Sequence, residues 1–154
     1  MVSDRKEILY IERSKNELDL AKAIFKLSTS NKLKKEFELK EDSTFFSNVI
    51  ATAYYCIFYA AKSLLESKNI VTQPPEEHKK TLEEFEKLAL SGIIDVELLK
   101  IYKSITIKAD ELLGIFRKEK SKRGQFTYKK LPQANMVVAD ESLSMQRDFL
   151  RISI

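Results

Sequence analysis

Ser43-Thr44-Phe45-Phe46-Ser47-Asn48-Val49-Ile50-Ala51-Thr52-Ala53-Tyr54-Tyr55-Cys56-Ile57-Phe58-Tyr59-Ala60-Ala61 runs nineteen residues without a charged side chain, in a chain that is 32% charged. A membrane span needs about 20 predominantly apolar residues. This run is at that limit, and Ser47, Asn48, Thr52, Tyr54, Tyr55 and Tyr59 lower its hydropathy. It reads instead as a buried central helix, and no membrane association is expected. The spacing predicts a helix over Thr44 to Ser67, with Asp42 or Ser43 as its N-cap. Phe45, Val49, Ile50, Ala53, Tyr54, Ile57, Phe58, Ala61, Leu64 and Leu65 fall on all sides of it. A helix with no polar face must be covered on several sides, so this one is the expected hub. Ala51, Ala53, Ala60 and Ala61 would let neighbouring helices come close.

The flanking sequence supplies those neighbours. Ile8, Ile11, Leu18, Ala21 and Phe25 draw one apolar stripe on a first helix from about Ser3 to about Leu27. Ser28-Thr29-Ser30-Asn31 is its stop, and Lys32 to Asp42 reads as an exposed loop or a frayed helical extension. Beyond the hub, Pro74-Pro75 opens a third helix, because proline is tolerated in a first turn. Leu82, Phe85, Leu88 and Ala89 give it a stripe, and Ser91-Gly92 ends it. Tyr102, Ile105, Ala109, Leu112 and Phe116 step by three and four along a fourth helix from about Asp95 to about Lys118. A last helix covers Met136 to about Ile152, with Val138, Leu143, Met145, Phe149 and Leu150 as apolar positions.

Composition agrees with this layout. The chain has 154 residues, enough for one domain, with 44% hydrophobic residues and only three glycines and three prolines. Sheet-rich folds need many more turn residues. The expected fold is all-α: a single up-and-down bundle of four to five helices spanning residues 1–154. Cys56 is the only cysteine, so neither a disulfide within the chain nor a thiolate metal site can form, and a reducing cytoplasm suits it. Met1 to Glu7 carries charges with no apolar stretch behind them, which does not read as a signal peptide.

Few kinds of chemistry remain open. His78 is the only histidine, so a Ser–His–Asp triad would have to use it, and a typical zinc site and a di-iron bundle cannot be built. Gly92, Gly114 and Gly124 are isolated, so no glycine-rich loop cradles a phosphate. No catalytic residues, metal ligands or cofactors are therefore assigned. Glu76, Glu77 and His78 at a helix start read as a solvated cap, or else make His78 a lone acid–base group. Tyr54, Tyr55, Phe58 and Tyr59 form an aromatic cluster that reads as core packing. Hydroxyls want partners, so one edge of it could reach a pocket or a dimer interface; Tyr54, Tyr55, Tyr59 and His78 are the candidates.

The charge is uneven. Arg117, Lys118, Lys120, Lys122, Arg123, Lys129 and Lys130 are opposed only by Glu119, a net +6 in a chain of net +4, which leaves −2 for the rest. Phe126 and Tyr128 are interleaved, as where bases stack beside phosphate contacts. Two readings stand: a solvated helix end, or a nucleotide- or RNA-binding surface built from Arg117, Lys120, Lys122, Arg123, Tyr128 and Lys129.

Ser47 to Leu65, with its Ala-Tyr-Tyr-Cys-Ile-Phe-Tyr-Ala-Ala-Lys-Ser-Leu-Leu core at positions 53–65, resembles the second helix of HEPN domains. His78-Lys79, followed by Phe85, resembles the family's His-Lys start and apolar stripe, and Asn31 to Asp42 looks like an insertion. The resemblance implies a helical bundle, usually a homodimer, often encoded beside a minimal nucleotidyltransferase in a toxin–antitoxin-like context. Some members cut RNA with an Arg, four to six intervening residues, and then a His. Here Val71, Thr72 and Gln73 precede His78 where that Arg would stand, and Arg123 is followed by Tyr128 where the His would stand. A phenol with pKa near 10 is a poor base at neutral pH. The chain resembles the branch without the nuclease motif, which implies a module that binds a nucleotide, an RNA or a protein partner.

Overall fold

The structure, a computed structural model, describes residues 2–113 and 136–153. Six helices account for most of them: α1 (Val2–Thr29), α2 (Asn31–Glu36), α3 (Phe46–Ser67), α4 (Glu77–Leu90), α5 (Val96–Leu113) and α6 (Met136–Ser153). No strand occurs among the described residues. The all-α helical bundle expected from the sequence is what forms. No described helix is long and apolar enough to cross a membrane.

α3 is the hub. Val49, Ala53, Tyr54, Cys56, Ile57 and Ala61 on it are fully buried. It packs on α1, α4, α5 and α6. The main core joins α3 to Phe85 of α4, Tyr102 and Ile105 of α5, and Phe149 of α6. Phe85, Tyr102 and Phe149 meet there as an aromatic trio with centroids 5.3–6.4 Å apart. Burying each such side chain stabilises the fold by about 1.5–3 kcal/mol, and aromatic pairs add about 0.5–1.5 kcal/mol.

α1 meets the hub through more than its apolar stripe. Ile8 is 54% exposed and leaves the stripe, while Ser14 and Ser28 are buried within it. Ser14 donates to the Cys56 carbonyl at 2.6 Å, and Ser63 of α3 donates back to the Glu7 carbonyl at 2.9 Å. The Ser28 hydroxyl accepts from the Phe45 backbone N–H at 2.8 Å. Small hydroxyl side chains thus stitch α1 along α3, which an apolar count cannot foresee.

Several boundaries differ from expectation. The Lys32–Asp42 stretch is not wholly a loop: α2 forms there, with Ser30 capping the Leu33 N–H at 3.2 Å. Lys34, at its end, is buried and donates to the Glu41 carbonyl at 2.8 Å. α3 starts at Phe46 rather than Thr44, and Phe45, not Asp42 or Ser43, is its N-cap without a side-chain cap bond. The Pro74-Pro75 pair precedes α4 instead of opening it, because Glu76 adopts φ +57°, which a right-handed helix cannot contain. The expected extension of α5 to Lys118, with Phe116, lies outside the described residues.

Three helices end in the same way. After α2, α3 and α4 the next-but-one residue, Glu38, Asn69 and Gly92, takes φ of +59°, +61° and +78°. The residue after it returns its N–H to the carbonyl of Lys34, Leu65 and Leu88 respectively, at 2.8–2.9 Å. These are Schellman closures, which satisfy carbonyls the helix leaves open. At Gly92 a Cβ would meet nothing within 4 Å, so only the backbone penalty opposes substitution. We expect Gly92→Ala to lower unfolding stability by about 1–2 kcal/mol, measured as a shift of the urea midpoint at unchanged slope.

Candidate functional site

Where α4 begins, its first turn is pressed onto α3. The His78 ring stacks on Phe58 with centroids 4.3 Å apart and an interplanar angle of 26°. Its Nδ1 is 2.8 Å from the Tyr54 hydroxyl, and the tautomer decides which of the two donates. Tyr55 meets His78 edge-on at 6.1 Å. His78 is therefore half-buried and packed rather than a solvated cap. Burial pulls its pKa down; Lys62 acts the same way, and Glu77 opposes them.

Beneath this contact lies a polar network that periodicity does not reveal. Lys62 of α3 is only 3% exposed. Its Nζ donates to the Thr72 carbonyl at 2.6 Å and to the Thr72 hydroxyl at 3.2 Å, and pairs with a Glu77 carboxylate oxygen at 2.9 Å. Thr72 and Thr81 share a hydrogen bond of 2.7 Å, and Thr81 donates to the Glu77 carbonyl at 2.7 Å. Residues 69–76 are thus tied to the hub by a buried ammonium. A buried charge is tolerable when its donors are used, and all three directions here are.

The sequence-predicted residues separate into two groups. Tyr54, Tyr55, Tyr59 and His78 are brought together. Tyr54 is fully buried, so its hydroxyl is a partner for His78 and out of reach of a ligand. Burial holds that hydroxyl far above its ordinary pKa, with neighbouring Tyr55 and Asp110 adding to the effect. The Tyr102 hydroxyl sits near enough to perturb it but makes no hydrogen bond of acceptable geometry. Tyr55 and Tyr59 are half-buried and stack on each other at 6.3 Å. Arg117, Lys120, Lys122, Arg123, Tyr128 and Lys129 lie outside the described residues.

Residue types alone did not point to what surrounds Tyr59. Tyr10 of α1 stacks against it at 6.3 Å and 14°, and the Arg13 guanidinium lies 4.4 Å over its ring. Burial raises the pKa of the Tyr59 hydroxyl, with Arg13 working against it. Glu17, one turn on, is also raised by burial and lowered by Arg13. The 10–13–17 spacing places all three on one face of α1, and that spacing was the available signal. Cys56 is enclosed, its thiol pushed up to about 12 by burial, so it is no nucleophile. No cluster of three or more His, Cys, Asp or Glu that could hold a metal occurs among the described residues.

Set against protein-family models, curated proteins and solved structures, the chain matches none of them.

Two outcomes follow from this geometry. In Lys62→Met the stem still packs, but the Thr72 carbonyl loses its donor while partly exposed Glu77 turns to water; we expect a loss of about 1–3 kcal/mol in urea unfolding. His78 has a folded pKa below its unfolded value near 6.5, so the folded state binds fewer protons. Stability is then complete above about pH 6.5 and falls as pH drops below it. Unfolding free energies at pH 7.5 and 5.5 should differ in the native chain, and the difference should shrink in His78→Gln.

Proposed function

We propose that this chain is a non-catalytic, HEPN-like helical module that acts by association. In this reading it is a cytoplasmic homodimer that pairs with a minimal nucleotidyltransferase-like protein or holds a nucleotide, in a toxin–antitoxin-like setting. The observation that carries the reading is the engagement of His78. It is the chain's only imidazole, and it is stacked on Phe58 and bonded to the Tyr54 hydroxyl. A general base must reach the proton it removes and titrate near the working pH. His78 is committed to packing, and burial moves its pKa away from neutrality.

Exposed apolar residues support association. Leu90, Ile93 and Val96, within seven residues around the α4–α5 connection, are 72%, 55% and 48% exposed. Groups of exposed apolar side chains mark interaction sites more often than isolated ones do. A second reading, an RNA-binding protein or degenerate ribonuclease, is favoured by the +6 charge of residues 117–130.

One experiment separates the two. Purified protein is incubated with single-stranded RNA across a salt series, with cleavage scored in the same tubes and mass measured by light scattering. The module reading expects a dimer and intact RNA. The RNA reading expects affinity that falls steeply with salt and drops when Lys122 and Arg123 are both changed to Glu. A monomer that cleaves RNA would reject the first reading.

A further inference from the structure

Tyr54 of α3 is fully buried, and its hydroxyl makes one hydrogen bond among the described residues, to Nδ1 of His78 at 2.8 Å. A hydroxyl carries one hydrogen, and a neutral imidazole carries one on either of its two nitrogens. Burial lowers the pKa of His78, so the ring is neutral at neutral pH. Two arrangements then fit the distance. Either Tyr54 donates to a bare Nδ1 and the ring hydrogen sits on Nε2, or Nδ1 carries that hydrogen and donates to the Tyr54 oxygen.

The hydrogen of the Tyr54 hydroxyl separates them. If Nδ1 donated, that hydrogen would need another acceptor inside the core. Tyr55 and Phe58 meet Tyr54 through their rings, edge-on at 5.5 Å and stacked at 6.0 Å. The Tyr102 hydroxyl lies near enough to perturb Tyr54 but has no hydrogen-bond partner, so it does not accept the hydrogen. Asp110 acts on Tyr54 as a charge and not through a hydrogen bond. A buried hydroxyl hydrogen without an acceptor is disfavoured, and donation to Nδ1 is the arrangement that avoids it. The Nε2 hydrogen is under no such constraint, because His78 is half-buried where Tyr54 is enclosed.

We propose that Tyr54 donates to Nδ1 and so holds His78 as the tautomer with its hydrogen on Nε2. The hydrogen bond at one ring nitrogen decides which nitrogen is protonated. Tyr54 is then a positioning residue, with Phe58 fixing the plane of the same ring from its face. The Nδ1 lone pair is spent inside the core, and Nε2 is a donor. A group that meets Nε2 must therefore accept, as an oxygen of a carboxylate, phosphate or carbonyl does, and His78 takes up no proton from it there. The bond lies within one chain, so its direction holds whether or not the module associates.

The test is the long-range proton–nitrogen correlation spectrum of the full chain, isotopically labelled, at about pH 8, where an ordinary or lowered imidazole is neutral. The chain has one histidine, so its ring gives the only imidazole signals. Nε2 appears as a hydrogen-bearing nitrogen and Nδ1 as a bare one, at the limits of a single tautomer rather than averaged between two. Tyr54→Phe keeps the ring that packs on Phe58 and removes the donor. Its Nδ1 signal moves, and the two signals draw together as the tautomers mix. Tyr55→Phe leaves both in place, because Tyr55 meets His78 only through its ring edge. Backbone spectra of each variant establish that it is folded. A hydrogen on Nδ1 in the native chain overturns the proposal whether or not either variant folds, and so do averaged signals. Signals unmoved in folded Tyr54→Phe, or moved as far by Tyr55→Phe, overturn the role of Tyr54.

Discussion

A helix that is apolar on every side cannot remain at a surface, and α3 is such a helix. Fourteen of its twenty-two residues are buried, so partners have to stand around most of its circumference. α1, α4, α5 and α6 do so, and each contributes a stripe narrow enough for its other faces to stay wet. The bundle follows from that demand more than from helix propensity, since an isolated helix of this length is marginal in water. Among the described residues the middle of α3 is least covered at Tyr55 and Tyr59, which are half-buried. Tyrosine suits such a position because its ring buries while its hydroxyl stays hydrated.

The core is not uniformly oily. Lys62, Thr72 and Thr81 are buried and hydrogen-bonded to one another or to backbone. Tyr102 and Gln146 are fully buried, yet the Tyr102 hydroxyl and both polar atoms of the Gln146 side chain lack hydrogen-bond partners. Each unpaired buried group opposes folding by about 1–3 kcal/mol. The satisfied cluster and the unsatisfied groups differ in kind. The first fastens residues 69–76 and the start of α4 to the hub. The second lies among α5 and α6 side chains, and nothing in the structure explains it.

How much of this was legible in the sequence depends on the range of the interaction. The hub was legible because nineteen uncharged residues leave little alternative. The stripes of α4, α5 and α6 were legible because Phe85, Tyr102, Ile105 and Phe149 recur with helical period. The start of α3 was not, since its entry is held by Ser28 from another helix rather than by its own cap. The start of α4 was not either, because proline's tolerance of a first turn says nothing about the left-handed backbone at Glu76. The aromatic cluster and His78 could be named as candidates, but their grouping is tertiary. Arg13 and Tyr10 join it at Tyr59 from more than forty residues away, and only their common helical face hinted at it.

The polar network around Lys62 and the tyrosines Tyr55 and Tyr59 adjoin each other. Lys62 follows Tyr55 and Tyr59 along α3, and Glu77 adjoins His78 on α4, so the ion pair closes directly beside the tyrosine strip. His78 is held against Phe58 by its own stacking, but its backbone is placed by the turn that Lys62 and Thr72 secure. Loosening that turn would move the imidazole away from Tyr55 as well as weaken the fold. The same three atoms around one buried ammonium therefore fix both the approach of α4 and the shape of the surface it leaves exposed. This explains why a charge is kept at a position where periodicity would place an apolar side chain. Methionine would fill the same volume, but it could not hold the Thr72 carbonyl and the Glu77 carboxylate together, and the first turn of α4 would then be seated only by His78 and the Thr72–Thr81 bond.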